Sequence, residues 1–117
     1  SAFGFLRDMY PTVCELAGME VPKTVHAKSL VPVLRGQQIL NALGYGYCRD
    51  VQRMVWDGKW KLIYYPELEK YQLFDLGKDP NELTDLADLP TSQARVQRLR
   101  RLLAHWFHDQ GDKVVFE

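Results

Sequence analysis

The sequence predicts an α+β fold: a small antiparallel sheet with a long C-terminal helix packed on it, plus a short helix near the N-terminus. Three observations predict it. Between residues 48 and 76 apolar and polar residues alternate in runs broken by turn residues, the pattern of half-buried strands. Asp57-Gly58 interrupts the alternation with a dipeptide suited to a tight hairpin. Beyond residue 91 the period changes, and Val96, Leu99, Leu103, Trp106 and Phe107 define one helical stripe.

The elements follow in order. The chain opens on an apolar stretch, Ser1 to Leu6, with Phe3, Phe5 and Leu6. Leu6, Met9, Val13 and Leu16 then share one face of a helix of about two to three turns. Pro11 is tolerated in its first turn, and Gly18 ends it. Met19 to Lys28 lacks periodicity and reads as a loop carrying His26. Ser29 caps a short helical turn through Arg35, closed by Gly36. Gln37 to Gly46 is weakly patterned, with Tyr45-Gly46-Tyr47 extended. Cys48 to Trp56 reads as one strand. On it Arg49, Val51, Arg53 and Val55 point one way, and Asp50, Gln52, Met54 and Trp56 the other.

Asp57-Gly58 fits a type I′ turn, whose two central residues both need φ > 0. Lys59 to Tyr65 returns as a strand, with Trp60, Leu62 and Tyr64 on one face and Lys61, Ile63 and Tyr65 on the other. Both faces are partly apolar, so one is expected to meet a helix of this chain and the other something outside it. Tyr71 to Leu76 supplies the next strand. Asp79-Pro80-Asn81-Glu82 approaches a capping box and predicts a tight helical turn. Asp85 to Pro90 reads as a linker. Thr91 or Ser92 caps the long helix, which runs to about Asp109 and ends at Gly111. Val114 to Phe116 is a candidate edge strand.

A chain of 117 residues holds one ordinary domain with one real core. Hydrophobic residues make up 46% and charged residues 26%, a globular composition. Fifteen basic and 15 acidic residues cancel, which gives no electrostatic case for nucleic acid or an acidic membrane as partner. The one charge asymmetry is the group Arg95, Arg98, Arg100 and Arg101. No apolar run is long enough to span a membrane, and no signal peptide is visible. The compartment stays open. Cys14 and Cys48 are too few for a disulfide scaffold and lack metal-ligand spacing. A bridge between them stays open, and two isolated buried thiols are the favoured reading.

No nucleophile elbow and no phosphate-binding loop occurs. His105 and His108 are three residues apart on a helix, but nothing is placed to complete a metal site with them, and interaction with the helix dipole explains them better. Asp75, Asp79, Glu82, Asp85 and Asp88 do not match the spacing of a calcium loop, and capping and turn roles explain Asp75, Asp79 and Glu82. Trp56, Trp60, Tyr64 and Tyr65 suggest either a sugar-stacking platform or a half-buried sheet surface, and the second reading is favoured.

Four strings, taken in order, carry a resemblance. "DMYPTVCELAG" (residues 8–18), "AKSLVPVLRG" (27–36), "RMVWDGKWKLIYYP" (53–66) and "YQLFDLGKDPNELTDLA" (71–87) resemble segments of the C-terminal part of the sulfatase family, within the alkaline phosphatase-like superfamily. Ala27 stands where the family usually has Gly, and Asp85 where it often has Asn. The resemblance implies a four-stranded antiparallel sheet with a long helix on it. It assigns residues 1–40 to a linking helix and loop at the edge of a larger domain, and residues 41–117 to the C-terminal subdomain.

It also implies an enzyme that hydrolyses sulfate esters. Family members carry a C-x-P-x-R or S-x-P-x-R motif whose Cys or Ser becomes formylglycine, beside a calcium ion that neutralises the sulfate oxygens. Cys14 is followed by Glu-Leu-Ala and Cys48 by Arg-Asp-Val-Gln, so neither fits. Calcium and formylglycine are therefore expected in an N-terminal catalytic domain before Ser1, with no catalytic or metal residue and no cofactor in the present chain. That domain and a sulfated small molecule or glycan are the implied partners, and a fragment parted from it is expected to self-associate through Phe3 to Leu16. The candidate substrate-binding residues are Arg49 and Arg53, suited to anionic groups, and Glu67 and Lys70 in the Pro66 to Lys70 loop at a strand end. Two other readings stay open: a stand-alone glycan- or anion-binding module, and part of a related phosphodiester or phosphonate hydrolase.

Overall fold

The computed structural model describes residues 4–37, 43–49 and 51–116; the expectations for Phe3, for residues 38–42 and for Asp50 lie outside the described residues. The chain divides into two units, residues 1–42 and 43–117. In the first, a 3-10 turn at Leu6–Asp8 leads into α1 (Met9–Leu16). Pro11 lies in the first turn, where its missing N–H costs nothing. At the far end Gly18 takes φ +69°, a left-handed conformation that a Cβ would strain. Its N–H donates to the Glu15 carbonyl at 3.1 Å, and the Met19 N–H to that of Cys14 at 2.8 Å, the paired bonds of a Schellman motif. A loop through His26 follows, then α2 (Val31–Leu34). Ser29 Oγ accepts from the Val31 N–H at 3.2 Å, but the N-cap position of α2 is Leu30 and carries no side-chain cap, so Ser29 precedes the cap expected of it.

The buried face of α1 differs from the expected one. Leu6, Met9, Val13 and Leu16 are exposed, whereas Asp8, Pro11, Thr12 and Cys14 are buried. Hydrogen bonds account for the reversal. Thr12 Oγ1 donates to the Asp8 carbonyl at 2.6 Å and accepts from the Leu30 N–H at 2.7 Å. The Asp8 carboxylate accepts from the N–H groups of Phe5 at 2.8 Å and Lys28 at 3.3 Å. A buried amide without such an acceptor costs about 1–3 kcal/mol. The loop therefore docks on the polar side of α1 and leaves the apolar stripe outward.

The second unit is a four-stranded antiparallel meander in the order β1 (Gly44–Cys48), β2 (Gln52–Trp56), β3 (Trp60–Tyr65) and β4 (Lys70–Asp75). The long helix α3 (Gln93–Asp109) covers one face. The single strand expected over Cys48 to Trp56 is instead the end of one strand, a turn and the next. Arg49 takes φ +48°, and the Val51 N–H donates to the Cys48 carbonyl at 3.1 Å, which reverses the chain. The β2–β3 hairpin forms where expected, but not through a type I′ turn. Only Gly58 has positive φ, and Asp57 Oδ1 accepts from the N–H groups of Lys59 (3.1 Å) and Trp60 (2.8 Å). A side-chain turn replaces the backbone one.

Register sets the core. Tyr45, Val55, Leu62 and Leu73 lie in one row across the sheet, and Tyr47, Arg53, Tyr64 and Tyr71 in the next row on the same face. Val96, Leu99, Leu103 and Phe107 of α3 close over that face, and Leu62, Leu73, Leu99 and Leu103 are fully enclosed. Ile63 and Phe74 on the opposite face are buried as well. Two of the four clustered arginines tie the helix to the β2–β3 hairpin and a third ties it to the C-terminal tail. Arg98 pairs with Asp57, Arg95 lies 3.7 Å from the centre of the Trp60 ring, and Arg100 donates to the Phe116 carbonyl at 3.2 Å.

Other boundaries depart from expectation in detail. Residues 79–82 form a turn without a helix: Glu82 has φ +55°, and the Asp79 carboxylate caps the N–H groups of Leu83 (3.0 Å) and Thr84 (2.9 Å). Glu82 instead pairs with Lys61 at 2.7 Å. The supposed linker is knitted to β4. Asp85 Oδ1 accepts from the N–H groups of Leu73 and Ala87, each at 3.0 Å, and the Leu86 N–H donates to the Leu73 carbonyl at 2.8 Å. A 3-10 turn at Pro90–Ser92 starts α3, and neither Thr91 nor Ser92 supplies a side-chain cap. Residues 114–116 are not a strand. The tail is held by side chains, with Tyr64 Oη donating to the Val115 carbonyl at 3.1 Å. Cys14 is buried, Cys48 is exposed against expectation, and both are free thiols.

Truncating Leu99 to Ala at the enclosed centre of this core should cost about 3 kcal/mol. Leu83→Ala, at an 81% exposed site, should stay within about 0.5 kcal/mol. Urea unfolding of the two variants measures both, and similar losses would contradict the core assignment.

Candidate functional site

The four candidate residues fall in two places on the second unit. Glu67 is exposed on a 3-10 turn, Pro66–Leu68. Glu69 follows in a left-handed conformation, φ +49°, which turns the chain into β4 at Lys70. Lys70 borders a polar depression of about 320 Å3 that Tyr71, Asp88, Gln93 and Arg100 also line. Burial pushes the Tyr71 phenol up to about 12; Arg100 opposes the shift and Tyr64 adds to it.

Arg49 and Arg53 meet at the other place. Helix α3 ends in a Schellman motif: Gly111 takes φ +76°, its N–H donates to the His108 carbonyl at 2.9 Å, and the Asp112 N–H to that of Phe107 at 3.0 Å. That geometry carries Asp112 to the inner face of β2, where Arg53 lies. Arg53 Nε donates to Asp112 Oδ2 at 2.5 Å and Nη2 to Oδ1 at 3.3 Å. Nη1 donates to the carbonyls of Arg49 (2.6 Å) and Gln52 (3.1 Å). The left-handed turn at Arg49 aims that carbonyl. Arg53 is 4% exposed, so its charge is buried and matched on the spot.

Above the pair lies a cavity of about 410 Å3, bordered by Tyr47, Arg49, Trp106, Phe107 and Gln110. The Arg53 guanidinium sits 5.8 Å from the Tyr47 ring centre and 5.5 Å from that of Phe107. Hydrogen bonding from Arg53 holds the Asp112 carboxyl below the usual carboxylate range against the opposing effect of burial. At Asp57 burial acts upward, and the N–H groups of Trp60 and Lys59 together with Arg98 outweigh it, so its pKa is also lowered.

Sequence reasoning placed Trp106 and Phe107 in the buried stripe and passed over Tyr47, Gln110 and Asp112. The signal for Asp112 was its place just after the helix-ending glycine; its partner is set only by the folded register. Of the hairpin aromatics, Tyr64 and Trp60 are taken up by packing rather than by a sugar platform. Tyr64 is 2% exposed and stacks on Tyr71 at 4.5 Å, and Trp60 packs against the core under Arg95. His105 and His108 approach Asp109 at 3.4 and 3.8 Å. Among the described residues no three His, Cys, Asp or Glu side chains gather as a metal site. Neither free cysteine has the sequence context of a formylglycine, so the described residues fit neither calcium nor that group. No described helix is long and apolar enough to cross a membrane.

The model of the C-terminal part of N-sulphoglucosamine sulphohydrolase matches residues 6–109. The chain belongs to this sulfatase C-terminal family. The arylsulfatase K of Xenopus laevis is 34% identical over 70% of the chain and 18% of its own length. The choline-sulfatase of Rhizobium meliloti (strain 1021) is 35% identical over 94% of the chain and 23% of its own length. A solved structure of a 2-O GAG sulfatase superposes with a TM-score of 0.73 at 29% identity, over 94% of this chain and 27% of that one. This sulfatase lobe thus spans about a fifth of the curated relatives cited. The four-stranded sheet and long C-terminal helix expected from the family are those observed.

The buried pair makes stability depend on acid. A carboxyl with a lowered folded pKa stabilises the fold above its unfolded value, near 4, and that contribution disappears as pH falls through the folded value. The urea midpoint should therefore drop steadily below about pH 4. At pH 7, Asp112→Asn should cost about 3 kcal/mol by leaving a buried guanidinium without its carboxylate. The double replacement Arg53→Met with Asp112→Leu should cost less than Asp112→Asn alone. Equal losses in the single and double variants would show the pair to be ordinary packing.

Proposed function

We propose that this chain is the C-terminal lobe of an enzyme that hydrolyses sulfate esters, and that the chain is not catalytic by itself. The family match over residues 6–109 carries the reading. In this proposal an N-terminal domain supplies formylglycine and calcium, and the lobe braces that domain and forms a wall of the substrate cleft. Residues 1–40 act as the linking helix and loop at the edge of the larger domain, and residues 41–117 as the subdomain proper. The exposed stripe of Leu6, Met9, Val13 and Leu16 supports a covering partner, because a contiguous apolar face of this kind is unusual on a lone soluble unit. Arg49, Arg53, Glu67 and Lys70 are the residues assigned to the substrate side. Of these Arg53 acts by holding the turn that presents Arg49, since its own guanidinium is bonded to Asp112 and two carbonyls.

Assay of the full-length protein with an aryl sulfate and with a phosphonate monoester tests the reaction class. Sulfate hydrolysis should dominate, and the 117-residue chain should turn over neither substrate. Turnover by the chain alone, or a preference for the phosphonate, overturns the proposal. Light scattering and an apolar-surface dye test the stripe: the isolated chain should self-associate and bind dye, and Val13→Glu with Leu16→Glu should reduce both. A monomer that binds no dye would refute the assignment of that face.

A further inference from the structure

The cavity above the Arg53–Asp112 pair holds chemistry that packing does not use. At about 410 Å3 it lies at the small end of ligand-sized pockets. Aromatic rings border it and are held in place: Tyr45 stacks on Trp106 at 4.5 Å and 4°, and Phe107 meets Trp106 edge-on at 4.8 Å and 82°. Tyr47, 73% exposed, stands beside Arg53 at the end of β1. Arg53 and Asp112 neutralise each other, so the net charge of the cavity comes from Arg49. That side chain is exposed and has no ion pair among the described residues. The Gln110 amide adds a donor and an acceptor from the exposed end of α3.

This set has a chemical complement. Ring faces carry negative potential and receive the polarised C–H groups of a sugar face. A planar amide matches hydroxyls, and a guanidinium matches a carboxylate or sulfate in paired bonds. A bare anion would leave the rings unused, and an uncharged apolar ring would leave Arg49 and Gln110 unmatched. We propose that this cavity binds an anionic pyranose, with the ring against Tyr47 and Trp106, its anionic group on Arg49 and a hydroxyl on Gln110. The site deepens the assignment of Arg49 to the substrate side and rests on that reading; binding to this chain, read without turnover, is tested apart from the reaction class.

The experiment is a 1H–15N titration of the 117-residue chain, following the Trp106 indole signal, with four probes: D-glucuronate, D-glucose 6-sulfate, methyl glucoside and inorganic sulfate. Both anionic sugars should give saturable shifts, with methyl glucoside and inorganic sulfate each at least about tenfold weaker. If one anionic sugar binds and the other does not, the anionic group is identified and the site stands. Arg49→Gln should bring glucuronate down to the affinity of methyl glucoside, while Arg101→Gln on the exposed side of α3 changes nothing. Should Arg49→Gln fail to fold, added salt on the unaltered chain makes the same distinction, since it must weaken glucuronate and leave methyl glucoside unmoved. Saturation by inorganic sulfate as tight as by the sugars, equal binding of neutral and anionic sugars, or no Trp106 shift with any probe overturns the proposal.

Discussion

The closing of α3 over one face of the meander is the constraint on which the second unit depends. A sheet of this size has no second sheet to bury its inner rows, so the stripe Val96, Leu99, Leu103 and Phe107 supplies the centre of the cover, with Ala87, Val114 and Phe116 packed beside it. Period-two alternation in the strands and period-3.6 spacing in the helix meet there, and each is meaningless without the other. At roughly 1.5–3 kcal/mol for each enclosed leucine, this layer outweighs any single polar contact in the lobe. Its polar contacts fix where things go: Arg98 to Asp57 sets the helix start against the hairpin, and Arg53 to Asp112 sets its end against β2.

The second of these contacts joins structure to chemistry. A glycine ends the helix, the residue after it turns inward, and the only inward charge of β2 receives it. The same arginine holds the carbonyl of Arg49, so the left-handed turn between β1 and β2 is maintained from inside the lobe. Cavity, turn and helix end are therefore one mechanical unit. The first unit uses a different device. Asp8 and Thr12 spend their hydrogen bonds on a loop, which leaves the apolar side of α1 facing away from that loop.

Much of this was legible in the sequence. The stripe of α3, its end near Asp109, the two strands that became β3 and β4 and the glycine stops at Gly18 and Gly111 all obey local rules, and local rules survive folding. What was missed is tertiary. The turn at Arg49 needs a left-handed arginine, which no propensity suggests; it persists because Arg53 binds its carbonyl. The buried side of α1 was misread because apolar spacing outvotes a Thr and an Asp in any pattern, although a buried hydrogen bond decides the docking. Asp57-Gly58 named the right place and the wrong turn, since an aspartate can close a turn through its own carboxylate. Of the candidate site, the sequence offered Arg49 and Arg53 but not the aromatic rings beside them, because Trp106 and Phe107 carry the same periodicity as the core.

The segment after β4 has a consequence for solubility. Outer strands of small sheets expose unpaired amides and carbonyls that recruit foreign strands. Here both outward groups of Leu73 are taken, one by a carboxylate and one by the Leu86 amide, and the carbonyl of Asp75 accepts from Lys78 and Asp79. At those positions this margin of the sheet offers no template for cross-β growth.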